Sequence, residues 1–202
     1  MDGLSMHDLA GDVARVIESE NKEPVVVVGH AIGNFVARQL AADRPDLVRG
    51  VVVAAGSAGK VPPGSTEKPI GPEIREAIDG PSNASLPESK RLEYLRIAFF
   101  APGNDASVWL GGWNSEVHHM ESHAREHTPV DDYFAAGTAL ILDLQAEHDP
   151  VAPRRFAGVL KSLLGDRVTI TVIPNASHAL FPEQPKAVAE AIATFARRVY
   201  AR

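Results

Sequence analysis

Val25-Val26-Val27-Val28-Gly29-His30-Ala31-Ile32-Gly33 is the stretch whose reading decides the fold. A β-branched run without polar alternation suits a parallel strand covered on both faces. Pro24 stands before the run and Gly29 ends it. An amphipathic pattern follows, with Val36 and Leu40 on one face, and it stops before Arg44-Pro45 because proline disfavours helix for the residue preceding it. The stretch therefore predicts a buried strand that turns sharply into a helix. Small residues flank the tip of such a turn because strand and helix backbones nearly touch there, while the central residue projects above the sheet. That central residue is Ala31.

Working outward, Ser5 and Asp8 form a capping-box pattern, and Leu9, Val13, Val16 and Ile17 recur at helical spacing, which predicts a helix over 6–19. A second apolar run at 50–55 predicts another buried strand. Two more strands are predicted at 139–144 and 168–173, with helix-compatible sequence at 153–164 between them. Val188, Ile192, Phe195 and Val199 mark a closing helix. Strands alternating with helices imply an α/β fold with a mostly parallel sheet and flanking helices. Between 57 and 137 the pattern changes to loop chemistry, Pro62-Pro63-Gly64 and Pro69-Ile70-Gly71-Pro72, and then to short helical patterns such as 89–100. This segment reads as an inserted helical lid, leaving 1–56 and 138–202 as the core.

Two polar signatures stand where the third and fourth strands end. Glu147-His148-Asp149-Pro150-Val151-Ala152-Pro153 follows one, and Asn175-Ala176-Ser177-His178 follows the other. A carboxylate that orients a histidine, which in turn abstracts a proton, needs both groups at the C-terminal edge of the sheet beside the strand-to-helix turn. Asp149 and His178 are the candidates for acid and base. A structural hydrogen bond between them, with no reaction, is the alternative. The methyl group of Ala31 cannot attack a carbonyl.

In these three places the chain resembles the α/β-hydrolase superfamily, particularly its lid-bearing bacterial members. Gly29-His30-Ala31-Ile32-Gly33 is similar to their G-H-S-x-G, Asp149 to the acid of D-P-x-x-P, and His178 to the base of a final G/S-H. The resemblance covers nearly the whole chain. It implies hydrolysis of a carboxylic ester, lactone or similar bond in a small-molecule substrate, no cofactor, and the amide of Ile32 as an oxyanion donor. The chain departs from the pattern in holding Ala31 at the nucleophile position, either an engineered change or natural to a G-H-A-x-G-N branch. It departs also in offering, over 1–24, neither the strands nor the His-Gly oxyanion loop that members place ahead of the helix near Met6. The expectation is a C-terminal portion of the fold, inactive or very weak as an esterase. The alternative is a pseudo-hydrolase that binds a ligand or a protein. The strand at 25–28 would then be a sheet edge, expected to pair with another chain in a homo-oligomer, to be covered by the N-terminal segment, or to leave the protein poorly soluble.

Composition narrows the rest. Lys and Arg number 20 against 26 Asp and Glu, a formal charge of −6, and no basic run suits a nucleic-acid partner. The absence of cysteine excludes disulfides and thiolate metal sites. No basic-then-apolar leader or membrane-length apolar stretch is seen, so a cytoplasmic protein without membrane association is expected. His30 is a candidate to line a substrate cleft, as are Trp109 and Trp113 together with Phe99 and Phe100, with plain packing as the alternative for each. His119, His123 and His127 fall on one helical face near Glu116 and Glu126, with His118 off it. The spacing is not His-Glu-x-x-His, and the reading is a solvated face, with no metal assigned. Ser57, Ser115 and Ser177 are weighed as substitute nucleophiles and set aside, since none sits on a strand-to-helix turn.

Overall fold

The computed structural model describes residues 3–20, 23–111 and 113–201. After α1 (Met6–Glu20), the chain runs through β1 (Val25–His30), α2 (Gly33–Asp43) and β2 (Val48–Ala54). The long connection from β2 to β3 carries α3 (Pro72–Asp79), α4 (Glu88–Ala98), α5 (Ser115–Glu126) and α6 (Val130–Phe134). Then come β3 (Leu140–Ala146), α7 (Val159–Leu164), β4 (Val168–Ile173), the single turn α8 (Leu180–Glu183) and α9 (Pro185–Tyr200).

The strands form one parallel sheet in the order β1-β2-β3-β4, and their register sets Val28 beside Val52, Val52 beside Leu142 and Leu142 beside Thr169. Alternate side chains of β2 enter opposite cores, which is why its sequence shows no polar alternation. Val51 and Val53 join Ala10 and Ala14 of α1, Ala37 and Leu40 of α2, and Val159 and Leu160 of α7 on one face. Val52 and Ala54 join Leu142, Leu144, Val188, Phe195 and Val199 on the other, beneath α9. Each fully buried Leu or Val adds roughly 1.5–3 kcal/mol, so these two layers hold the platform on which the strand ends sit. β1 lies at one end of the sheet, and its Val28 is 40% exposed.

Two differences from the sequence reading have local causes. The helix-compatible stretch at 153–164 is divided into a 3-10 turn, Arg154–Phe156, and α7. Gly158 stands at the joint, where glycine weakens helix, and Phe156 is turned into the interior. The β2–β3 connection also packs as two parts. Ala77, Tyr94, Leu95, Phe99 and Phe100 cluster with Trp109 and Trp113 and with Ala179 and Val151 from the loops after β4 and β3. Ala124 and Tyr133 instead join Met6 and Phe35 against α1 and α2. Among the described residues no helix is long and apolar enough to cross a membrane.

Candidate active site

β1 ends in a turn tight enough that only glycine fits at position 29: a Cβ there would lie 2.3 Å from the carbonyl oxygen of Gly33. Gly33 itself has open space around its Cα, so the close approach read from both glycines belongs to Gly29 alone. Ala31, at the tip, has φ 51°, the left-handed region that L-residues avoid. Its amide donates to the carbonyl of Ala54, 3.1 Å away, and its own carbonyl accepts from the side-chain amide of Asn34. Asn34 in turn accepts from Arg38, a guanidinium with no exposed surface that also donates to the carbonyls of Ser57, Ala58 and Phe134. The turn is thus held from beneath by a buried polar chain. The Ile32 amide donates to no backbone carbonyl among the described residues and opens the first turn of α2.

The loops after β3 and β4 bring Asp149 and His178 together. Nδ1 of His178 donates to Oδ2 of Asp149 across 2.9 Å, and both side chains are buried. Oδ1 of Asp149 accepts the amides of Val151 and Ala152 at 2.8 and 2.9 Å, so both carboxylate oxygens are held by hydrogen bonds. With Nδ1 committed as donor, Nε2 of His178 is the nitrogen left to accept a proton. The two loops also bond each other, His148 N to Ala176 O at 2.9 Å and Asn175 N to the Glu147 carboxylate at 2.9 Å.

His30 braces this pair: its Nε2 donates to the carbonyl oxygen of His178 at 2.8 Å. Burial, and then the neighbouring His178, push the His30 imidazole down to about 4. Aromatic rings surround both histidines. Phe99 lies 5.6 Å from the His178 ring, and Phe181 and Trp109 lie 5.5 and 6.1 Å from that of His30. Trp113 stands one ring further out, 5.6 Å from Phe99, its indole N–H donating to the Trp109 carbonyl.

Other candidates lie elsewhere. The Ser177 hydroxyl donates to the His148 carbonyl, the Ser57 hydroxyl accepts the Gly59 amide, and Ser115 begins α5. His123 and His127 stack at 3.9 Å, and Nδ1 of His127 donates to the carbonyl of His123. Among the described residues no group of three or more His, Asp or Glu is arranged to hold a metal ion.

A model of the alpha/beta hydrolase family matches residues 2–191 of this sequence. The chain belongs to that family. Within it, a 55-residue stretch is 44% identical to the protein described as "Putative carbamate hydrolase RutD" from Serratia proteamaculans (strain 568), and covers 27% of this chain and 21% of that protein. Among solved structures, the fold is similar to olei00960, a hydrolase from Oleispira antarctica, with a TM-score of 0.74 and 13% identity over 96% of this chain and 72% of that one. A thermophilic esterase matches with a TM-score of 0.65 and 18% identity, over 98% of this chain and 75% of that one. In this alpha/beta hydrolase, the residues around the pair that sequence reading did not assign to the site are Phe181, Asn34, Arg38 and Glu183. Asn34 entered only as the last residue of the G-H-A-x-G-N pattern, and an arginine among the apolar residues of α2 was the one further signal.

Proposed function

We propose that this alpha/beta hydrolase acts on esters, lactones or similar acyl bonds without a covalent intermediate, and only slowly. The observation that carries this is the Asp149–His178 bond of 2.9 Å, buried and complete, beside a left-handed tip that bears a methyl group. In this reading Nε2 of His178 takes a proton from water as the water oxygen adds to the acyl carbon. The Ile32 amide stabilises the oxyanion, and the imidazolium then returns its proton to the departing alkoxide, giving acid and alcohol. Asp149 keeps the imidazole in the required tautomer. The descriptions of the relatives, a carbamate hydrolase and an esterase, support acyl chemistry at a carbonyl joined to a heteroatom. The rings of Phe99, Trp109 and Phe181 favour an apolar acyl or alcohol portion.

Without a nucleophile the expected acceleration is small, about 10³–10⁴-fold over water, the remnant that serine-type triads keep when one member is removed. The test is hydrolysis of 4-nitrophenyl acetate by the purified chain. Saturable turnover that disappears in His178→Ala supports the proposal. A rate equal in the two proteins overturns it. Saturable ester binding with no turnover turns the reading to a ligand-binding member of the family.

A further inference from the structure

Glu183 closes the one-turn helix α8, five residues after His178, and its carboxylate collects one donor from the loop just before it and two from a distant segment, 101–104. Oε2 accepts the amide of Ser177 at 2.6 Å. Oε1 accepts the amide of Ala101 at 2.7 Å and the side-chain amide of Asn104 at 2.6 Å. Among the described residues no lysine or arginine is paired with it, so these N–H groups are what satisfy its charge. Bonds to an ionised acceptor are shorter and about twice as strong as neutral ones.

The positions of these donors matter more than their number. Ser177 immediately precedes His178. Ala179, which immediately follows it, donates its amide to the carbonyl of Phe99 at 2.8 Å. Asn104 also reaches the carbonyl of Asn175 at 3.0 Å, a residue in the left-handed conformation with φ 54°. The backbone on both sides of His178 is thus fastened to one segment, 99–104, and that segment carries the Phe99 ring that lies 5.6 Å from the imidazole.

We infer that Glu183 is a positioning residue, which sets the His178 imidazole on Asp149 by locking the 175–179 loop to the 99–104 segment. The inference rests on the hydrolytic reading for its functional meaning, but not for its test. A geometry fixed in this way is what general-base chemistry needs, since a displacement of about 1 Å can cost about a hundredfold in rate.

The test reads the His178–Asp149 bond directly, by nuclear magnetic resonance of the full chain. The Nδ1–H proton of His178, assigned by its loss in His178→Ala, reports that bond whether or not the protein turns over an ester. In Glu183→Gln the side chain keeps its length, but its NH2 must face one of the N–H donors. We expect the proton to exchange with water on the order of tenfold faster, as local opening becomes easier, and the titration of the His178 ring nitrogens to shift, with the far-ultraviolet circular dichroism unchanged. Asn104→Ala, which removes two of the ties from the partly exposed side, should move both readouts in the same direction by less. It carries the test if Glu183→Gln does not fold. An unchanged Nδ1–H exchange rate and ring titration in a folded variant overturns the inference. An equal esterase rate in His178→Ala and the parent chain would instead remove the hydrolytic reading and leave the clamp standing.

Discussion

Nε2 of His30 donates to the carbonyl oxygen of His178 across 2.8 Å, so the residue before the tip of the turn fixes the backbone of the residue that orients on Asp149. This bond needs a proton on Nε2 but not a positive charge, and burial holds the His30 imidazole down to about 4 from the ordinary 6.5.

The first prediction follows from that value. An unfolded chain would take up a proton at His30 as pH falls through about 6.5, whereas the folded chain resists until about 4. The unfolded state therefore binds more protons in this window, and stability must rise with pH across it. The contribution is complete above pH 6.5 and fades toward pH 4, by roughly 3 kcal/mol. Melting temperatures at pH 4.5 and 7 should differ less in His30→Gln, whose amide can still donate to the His178 carbonyl, than in the parent chain. Parallel pH profiles would refute the assignment.

Gly29 and Gly33 give a contrasting pair. Gly29→Ala would force a Cβ to 2.3 Å from a backbone oxygen that has no flexible end to yield, so a loss of more than about 3 kcal/mol is expected. Gly33→Ala meets nothing within 4 Å and sits in the first turn of α2, where alanine should stabilise by about 0.4–1 kcal/mol. Urea denaturation of the two variants checks both signs.

Arg38 offers a third outcome. Its guanidinium has no exposed surface, bonds three carbonyls and Asn34, and lies over the rings of Phe35 and Tyr133 at 5.3 and 5.1 Å. Arg38→Ala leaves these acceptors buried and opens a cavity, for an expected cost of about 3–5 kcal/mol. Chemical denaturation showing less than about 1 kcal/mol would mean that water replaces the guanidinium.

These results bear on what the sequence made legible. The β1–α2 turn was readable because a run of β-branched residues and a closing glycine are local signals. Asp149 and His178 were readable as neighbours because each follows a strand, and a parallel sheet delivers strand ends to one edge. Their roles in a reaction are the proposal above. The Glu183 network was not readable, since it joins residues 79 and 82 positions apart and two of its donors are backbone amides, which every residue but proline supplies. The aromatic wall was only partly readable. Phe99, Phe100, Trp109 and Trp113 attract notice as a set of rings, yet that Phe99 is the one against His178 depends on the backbone bond from Ala179, which no local pattern announces.

Ala31→Ser is the prediction that asks most of the site. The backbone at position 31 is already left-handed, with φ 51°, so serine would enter a conformation the chain has accepted for alanine. Its hydroxyl then competes with water for Nε2 of His178, and an attached nucleophile has the advantage of being held at the acyl carbon. Stabilising the tetrahedral oxyanion is the harder requirement. The Ile32 amide is the one donor proposed for it, and lacking one donor of an oxyanion pair costs about a hundredfold to a thousandfold. Against a median turnover of roughly ten per second for enzymes at large, Ala31→Ser should hydrolyse 4-nitrophenyl acetate on the order of 0.01–0.1 per second. A burst of 4-nitrophenol equal to the protein concentration should precede the steady state if deacylation is the slower step. Both burst and turnover should vanish when His178→Ala is added. Turnover near ten per second would mean that a second donor completes the oxyanion site. A folded Ala31→Ser chain with neither burst nor turnover would mean that the base does not reach the hydroxyl, and the bond between Asp149 and His178 would then be structural.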